Sequence, residues 1–278
     1  MRFQEAATAK YNVAKASRQK RLKTGIGRHG GYLRTLRGLV LPVLLLAVWE
    51  YLSAHEYISY LLFPAPSRIA ETFISLVQSG AWWSNLEISL QRALLGFLLG
   101  GGAGLLLGIV VGLFRWVERT MDPAVQMLRM VPHLAVTSLF VLWFGIGETS
   151  KVLLIAKGAF FPLYINVFLG LRGVDNKLFE VTRVLEFSRL RQVIQLMLPA
   201  SLPNLFLGIR MSVAIAWLSL VVAEMMGASS GIGYLMMDAR AMSKTPVVFV
   251  GIFTFTLIGV LSDWLIRRIE RYFLRWKD

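Results

Sequence analysis

Charged and polar side chains inside otherwise apolar stretches of the sequence are the first candidates for chemistry. Arg129 and His133 lie four residues apart, so on a helix they share one face, where a cation beside a hydrogen-bond donor would attract an anion. The alternative is structural: Arg129 reaches a nearby polar surface, while His133 packs beside Pro132, which bends the helix. Lys157 and Glu224 lie in two further apolar stretches and form either a buried pair or, for Glu224, a contact with the outer solution. All four residues are candidates for lining a substrate pathway.

A second pattern is a glycine at every fourth position of one apolar stretch. The residues are Gly96, Gly100, Gly104, Gly108 and Gly112. Small residues at this spacing allow the backbones of two membrane helices to approach closely. The alternative, a phosphate-binding glycine loop, needs a preceding strand and a charged residue that this stretch does not contain. We therefore predict a helix-packing face.

Several kinds of reactive site are excluded by residue type. The chain contains no cysteine, so it has no disulfide, no thiolate metal site and no cysteine nucleophile. Its three histidines, His29, His55 and His133, lack the spacing of metal ligands, and we predict no metal site. The phosphate-binding pattern G-x-x-x-x-G-K-[ST] and the kinase and hydrolase signatures are also absent. The sequence thus predicts neither a catalytic site nor a bound cofactor in this chain.

The composition places these residues in a membrane protein. Of the 278 residues, 56% are hydrophobic and 17% are charged, against about 45–50% and about 25% in soluble domains. The mean hydropathy is +0.59. Such a chain is not expected to be a soluble enzyme, a collagen-like chain or a disordered chain. Its net charge of +14 does not indicate a nucleic-acid partner, because Lys and Arg cluster at the ends of apolar stretches.

Six apolar stretches approach the length needed to cross a membrane as a helix, which is about 20 residues. They lie near residues 38–54, 88–113, 124–146, 150–172, 203–227 and 245–266. The sequence therefore predicts an all-α, polytopic membrane protein with about six transmembrane helices. Its parts are a basic N-terminal tail (1–37), a transmembrane domain (38–266) and a short C-terminal end (267–278). A short amphipathic helix, with Ser67 as its N-cap, is predicted on the outer surface between the first two spans.

The distribution of basic residues predicts the orientation. Lys and Arg are dense in the tail 1–37, in the loop 172–202 and in the C-terminal end, and they are sparse in the connections expected outside. Because cytoplasmic segments carry the excess of Lys and Arg, both termini and the loop 172–202 are predicted to be cytoplasmic. The tail is interpreted as a topology determinant or, alternatively, as a segment that binds anionic lipid. No cleavage site follows the first apolar stretch, which is predicted to remain as an uncleaved span.

The loop 172–202 is too polar to enter lipid, yet its pattern is helical. Residues 176–185 carry apolar side chains on one face and charged side chains on the others. A second helical stretch is predicted over 190–197, and Pro199 and Pro203 are expected to stop or kink the chain before the next span. Two short helices at a membrane surface either simply lead the chain back into the membrane or form a docking surface for a cytosolic partner.

The order of residues in this loop resembles the E-A-A-x3-G-x9-I-x-L-P loop of ABC importer permeases. The residues that carry the match, and that the resemblance makes candidates for contact with an ATPase, are Glu180, Val181, Thr182, Arg183, Glu186, Ser188, Arg189 and Pro199. Val181 and Thr182 replace two alanines of that pattern, and Glu186 replaces its glycine. Glycine is favoured where a turn needs positive φ, so another residue in that conformation carries a cost of about 1 kcal/mol. The turn at Glu186 is thus the point where the chain departs from the pattern.

Other stretches are similar to the sulfonate, taurine and nitrate branch of these permeases. They are residues 62–66, 142–147 and 222–234. The stretch 126–135 is similar to aliphatic sulfonate permeases, whereas relatives for taurine tend to carry a second proline where His133 stands. The resemblance extends from the first span to nearly the end of the chain.

The resemblance implies the type I ABC importer permease fold and a location in the bacterial inner membrane. The chain would be the transmembrane permease subunit, without enzymatic activity of its own, and would form the pathway for uptake of aliphatic sulfonates. Its partners would be a second permease copy, two cytosolic ATPase subunits that hold ATP and magnesium, a periplasmic substrate-binding protein and membrane lipid, without nucleic acid. The loop 172–202 would provide the coupling helix that enters a groove of the ATPase.

Other functions remain open at this point. Taurine, nitrate or another small organic anion is the alternative cargo. An ATP-independent secondary transporter would be marked by inverted repeats, and the halves 38–146 and 150–266 show no convincing repeat. A membrane scaffold would account for a docking loop but not for polar residues within the spans.

Overall fold

The computed structural model describes the backbone of residues 30–275 and the side chains of residues 40–275. The side chains of the predicted basic tail 1–37 therefore lie outside the described residues. Within the described part the chain is helical and contains no strand, which confirms the predicted all-α fold class.

Eleven α-helices and one π-helix make up this part of the chain. They are α1 (Gly30–Ala54), α2 (Pro66–Gln78), α3 (Ala81–Leu113), α4 (Arg115–Arg129), α5 (His133–Phe144), α6 (Glu148–Arg172), α7 (Asn176–Val184), α8 (Arg189–Gln192), the π-helix (Val193–Met197), α9 (Leu198–Met225), α10 (Ile232–Ala241) and α11 (Thr245–Phe273).

The chain divides into two compact units, residues 1–66 and 67–278. The first unit contains α1, which is apolar over Val40–Ala54 and corresponds to the first predicted span. In the last turn of this helix the Ser53 hydroxyl donates to the Phe63 carbonyl oxygen, 2.7 Å away, and so connects the following turn to the helix end.

The short helix α2 is present, but its predicted cap was wrong. The helix begins at Pro66, so Ser67 lies inside its first turn instead of capping it. Proline suits the first helical position because its missing N–H would have no helical partner there.

The second unit contains the remaining spans. Four helical segments, α3, α6, Arg189–Met225 and α11, are each long and apolar enough to cross a membrane. The pair α4 and α5 passes the same test together, but it is bent by 94° at the break between the two helices. The described residues thus contain four such helices, or five with this pair counted as one span, and the shorter apolar helix Val40–Ala54 within α1 lies on the first predicted span.

The predicted third span, 124–146, is not one helix. α4 ends at Arg129, α5 begins at His133, and Pro132 between them is extended (φ −55°, ψ 130°). Proline lacks a backbone N–H and disfavours helical geometry in the residue before it. The expected bend at Pro132 is present. However, the prediction that Arg129 and His133 share a helix face was wrong, because they belong to two helices that point in different directions.

The helix α6 is the centre of the second unit and packs against both α3 and α9. The five glycines of the four-residue repeat are buried in α3, where an added Cβ at each would meet α6. At Gly100 it would collide with the carbonyl group of Ala156, and at Gly104 with that of Phe160. The two backbones therefore touch, which requires residues without a side chain at these points.

Pro199 and Pro203, which were predicted to stop or kink the chain, do not stop it. Helical structure continues from Arg189 to Met225, with a π-helix directly before α9. In this π-helix the N–H of Leu198 bonds to the carbonyl of Val193, five residues earlier. Pro199 follows in the first turn of α9. The wider turn of the preceding π-helix leaves room for the proline ring, and proline has no N–H that would need a partner there.

The predicted boundary between the transmembrane domain and the C-terminal end does not coincide with a helix end. α11 continues through residue 266 to Phe273. The last turns of this helix carry Arg267, whose guanidinium lies 2.6 Å from the carboxylate of Asp263, four residues earlier.

Candidate functional site

The loop 172–202 is built from two capped helices. The Asp175 carboxylate accepts the N–H of Lys177 at 2.9 Å and so caps α7, and the Ser188 hydroxyl accepts the N–H of Arg191 at 3.3 Å and caps α8. Such side-chain caps satisfy backbone donors that a helix start would otherwise expose. The predicted helices 176–185 and 190–197 correspond to α7 and to α8 with the π-helix.

Between these helices, Glu186 adopts the conformation in which glycine is favoured. Its φ is +52°. The N–H of Phe187 bonds to the carbonyl of Thr182 at 2.9 Å, and the N–H of Glu186 bonds to that of Arg183 at 3.0 Å. These two bonds and the left-handed residue form a Schellman motif, the usual way to end a helix at a glycine. The turn that the family pattern assigns to glycine is thus formed here by a glutamate.

The loop 172–202 exposes several apolar side chains between its charged ones. Val184 is 83% exposed and Leu190 is 70% exposed, and Val181 and Leu185 are also exposed. Phe187 lies under the guanidinium of Arg191, 4.2 Å from ring centre to Cζ. Exposed apolar side chains of this number on a short segment mark a surface that another molecule covers.

The structure brings seven of the eight predicted coupling residues into this helix–turn–helix. Glu180, Val181, Arg183, Glu186, Ser188 and Arg189 are exposed there, and Thr182 is buried. Pro199 lies apart from them, half-buried in the first turn of α9. The exposed charges Glu180, Arg183 and Arg189 have no ion pair among the described residues.

At the opposite end of α3, α6 and α9, near the start of α10, lies a buried polar cluster. Its centre is Arg92, which is 3% exposed, and Glu224, which is 1% exposed. The Nη1 atom of Arg92 is 2.9 Å from the Glu224 carboxylate, and its Nε and Nη2 atoms each lie 2.6 Å from an oxygen of Glu148. Lys151 adds a second cation, with its Nζ 3.1 Å from Glu148. Two carboxylates therefore face two cations in one connected group.

The buried polar cluster also forms hydrogen bonds with the backbone of the segment that leads into α10. Glu224 accepts the Ser89 hydroxyl at 2.8 Å and the N–H of Gly233 at 2.8 Å. The Ser89 oxygen in turn accepts the N–H of Ile232 at 2.9 Å, and Arg92 donates to the carbonyl of Ser230 at 2.6 Å. A Cβ at Gly231 would lie 2.7 Å from Nη1 of Arg92, so the loop backbone needs glycine to approach the cluster. The cluster joins α3, α6, α9 and α10.

The structure separates Glu224 from the other predicted pathway residues and brings Lys157 close to the break between α4 and α5, where His133 lies. The predicted Lys157–Glu224 pair was wrong, since Glu224 pairs with Arg92 and the Lys157 ammonium donates to the Val131 carbonyl at 3.2 Å. That carbonyl belongs to the break between α4 and α5, where helical partners are missing. His133, half-buried at the start of α5, has an Nε2 atom that is buried without a hydrogen-bond partner among the described residues.

Sequence reasoning missed Arg92, although a signal was available. Arg92 is the only charged residue in the predicted span 88–113. A charge within a span is expensive unless it is paired, so it predicts a buried partner. The partners Glu148 and Glu224 lie 56 and 132 residues away in sequence, and no local pattern connects them to Arg92.

The fold and these sites define a multi-pass helical membrane protein with a buried polar cluster at one end of the bundle and an exposed loop with apolar and charged side chains at the other. Residues 102–275 match the family described as binding-protein-dependent transport system inner membrane component, and the chain belongs to this family. The matched range contains the loop 172–202 and Glu224.

Three curated relatives support this assignment over most of the chain. A Bacillus subtilis protein called putative aliphatic sulfonates transport permease protein SsuC is 52% identical over 258 residues, which is 93% of this chain and 92% of that protein. The Escherichia coli protein of the same name is 44% identical over 85% of this chain and 90% of its own. The taurine transport system permease protein TauC of Escherichia coli is 32% identical over 84% and 86%. The resemblance to ABC importer permeases of this branch is confirmed.

Proposed function

We propose that the chain forms the transmembrane pathway of an ABC importer for aliphatic sulfonates. The observation that carries this proposal is the pattern of identity: 52% and 44% to two proteins named for aliphatic sulfonates, against 32% to one named for taurine. Both sulfonate relatives are matched over at least 85% of this chain.

The proposed assembly contains several chains. Two copies of this permease form the pathway in the bacterial inner membrane, two cytosolic ATPase subunits hold ATP and magnesium, and a periplasmic binding protein delivers the cargo. The basic tail, the loop 172–202 and the C-terminal end face the cytoplasm, as the excess of Lys and Arg in them favours. In this orientation the buried polar cluster lies toward the outer side.

In this proposal the loop 172–202 couples movement of the ATPase to the pathway, because its two helices connect directly to the membrane helices α6 and α9. Its exposed apolar surface on α7 and α8 is where the ATPase docks in this proposal. α7 follows α6 after a short turn, and α8 continues without interruption into α9 up to Met225. The segment Arg189–Met225 has 37 residues, about 55 Å at 1.5 Å per residue. A displacement at the ATPase is therefore carried along one helical rod to Glu224 and the buried polar cluster.

The identity of the cargo is tested by the growth of a deletion strain. The gene is deleted and the cells are grown on one sulfur source at a time: sulfate, a series of alkanesulfonates, or taurine, with nitrate tested separately as nitrogen source. Loss of growth on alkanesulfonates alone, restored by the wild-type gene, is the expected result. A defect on taurine or nitrate instead would assign the cargo to the alternative small anions.

Co-purification tests the class of transporter. The full-length chain, solubilised from its native membrane in mild detergent, is expected to bring an ATPase subunit with it. A chain that transports sulfonate in vesicles without any ATPase present would contradict the proposal and favour a secondary transporter.

A further inference from the structure

A second charged site lies behind the loop 172–202, on the side of α7 that faces the bundle. It is a cleft of about 530 Å³. Its lining comes from four separate elements, namely the start of α4, the end of α6 with the turn after it, α7 and the end of the π-helix. We call it the arginine cleft, because Arg115, Arg172 and Arg183 line it together.

The charge in the arginine cleft is not balanced from within the described chain. Its lining contains three guanidinium groups and one carboxylate, that of Glu180. Arg172 forms an ion pair with Glu118, but its Nε is buried without a hydrogen-bond partner. Arg115 and Arg183 form no ion pair or side-chain hydrogen bond with any described residue. Two exposed guanidinium groups without a carboxylate partner and a third with an unused Nε–H thus surround one cavity, and such groups suit an anion with several oxygen acceptors.

The placement of Arg115 supports the same conclusion. It is the first residue of α4, where the helix dipole disfavours a cation. A negative group in the cleft would face both this helix start and the three guanidinium groups, and so would remove the unfavourable interaction. The arginine cleft differs in this respect from the buried polar cluster, where each cation has a carboxylate within 3.1 Å.

We propose that the arginine cleft binds a phosphate-type anion, held by Arg115, Arg172 and Arg183. Phosphate and its esters present several oxygens that match the planar fork of an arginine. Two sources offer this group at a membrane surface, the headgroup of an anionic phospholipid and free inorganic phosphate, and basic pockets between membrane helices bind such headgroups. The occupied cleft would brace the back of α7 against α4 and α6, so that α7 keeps its position when its outer surface is loaded.

The experiment compares two charge-matched variants of the full-length chain purified in detergent. Arg115→Gln with Arg183→Gln removes two cleft cations. Arg119→Gln with Arg268→Gln removes two exposed cations outside the cleft. Native mass spectrometry measures retained phosphatidylglycerol, and thermal unfolding is measured with inorganic phosphate or with chloride at equal ionic strength. In the cleft variant we expect either that the amount of retained phosphatidylglycerol falls at least about fivefold or that phosphate no longer raises the Tm. In the control variant both should stay as in the wild-type chain.

The outcomes separate the two sources and the failure of the proposal. Loss of lipid retention alone assigns the headgroup, and loss of the phosphate effect alone assigns the free anion. Equal behaviour of the two variants in both measurements overturns the proposal. If the double variant does not fold, Arg183→Gln alone and Arg183→Lys replace it: the lysine, which keeps the charge, must retain more of the ligand than the glutamine, and equal retention overturns the proposal.

Discussion

The two ends of the second unit treat charge in opposite ways. In the buried polar cluster, Arg92 and Glu224 are removed from solvent and satisfied by groups of the same chain. In the loop 172–202, Arg189 is exposed and has no ion pair among the described residues, and the apolar side chains of Val184 and Leu190 are exposed beside it. The groups at one end are satisfied within the chain, while those at the other end are left open to the surroundings, as the proposed docking of an ATPase requires. Stability should therefore depend on the first end and transport on the second.

The largest expected effect comes from breaking the buried polar cluster. Arg92→Met leaves the carboxylate of Glu224 buried without its cation, and removing one partner of a buried ion pair costs about 3–5 kcal/mol. We expect the free energy of unfolding of the purified full-length chain, measured by chemical unfolding in detergent, to fall by that amount. The control is Arg210→Met, which removes a cation 3.0 Å from Asp263 in a partly exposed pair and should cost about 1 kcal/mol or less. Equal losses in the two variants would show that the cluster is not special.

The next effect concerns the contact that joins the two ends. Gly100→Ala places a methyl group against the backbone carbonyl of Ala156, where no side chain can move away. Overpacking of this kind costs about 1–3 kcal/mol of unfolding free energy. Gly102→Ala on the same helix is the matched control, because a Cβ there meets nothing within 4 Å. The control should be neutral or slightly stabilising, and a similar loss in both variants would contradict the close backbone packing of α3 and α6.

The third prediction tests the loop 172–202. Glu186→Lys reverses a charge on the exposed turn between α7 and α8, outside the arginine cleft, so we expect uptake of alkanesulfonate to fall about tenfold, which corresponds to about 1.4 kcal/mol. Expression and unfolding should not change, because Glu186 has no ion-pair partner among the described residues. Glu87→Lys makes the same charge change on the exposed surface of α3 at the other end. If uptake falls equally in both variants, net charge and not this turn is responsible.

The smallest effect should be a gain in stability. Glu186→Gly relieves a left-handed conformation that costs a side chain about 1–2 kcal/mol, while glycine makes the unfolded chain more flexible. The net expectation is a rise in unfolding free energy of about 0.5–1 kcal/mol. Glu180→Gly, within α7, should lower it by up to about 1 kcal/mol. A loss in the Glu186→Gly protein would show that this side chain makes a stabilising contact that outweighs the strain.

Features that depend on nearby residues were predictable from the sequence. The apolar stretches predicted the helices, because a backbone in lipid must satisfy its own hydrogen bonds. The register of the loop pattern also identified Glu186 as the residue at the turn, where its φ is +52°. Proline at 132 predicted a bend, since its effect on the helix is local.

Features that depend on distant residues were not predictable. The size of the bend, 94°, depends on how α5 packs, and it moves Arg129 and His133 off a common face. The partners of Glu224 come from α3 and α10, and its charge alone was equally compatible with Lys157. Pairing across 132 residues is decided by the fold, which a pattern of nearby residues does not contain.

The order of residues in the buried polar cluster also has a consequence for synthesis. Arg92 leaves the ribosome 56 residues before Glu148 and 132 residues before Glu224. At about 5–20 residues per second, these intervals are about 3–11 s and about 7–26 s. During the first interval Arg92 has neither carboxylate partner, although an unpaired charge within a span is costly to insert. The apolar remainder of α3 must therefore carry this helix into the membrane before Glu148, the first of the two partners to be synthesised, can pair with Arg92.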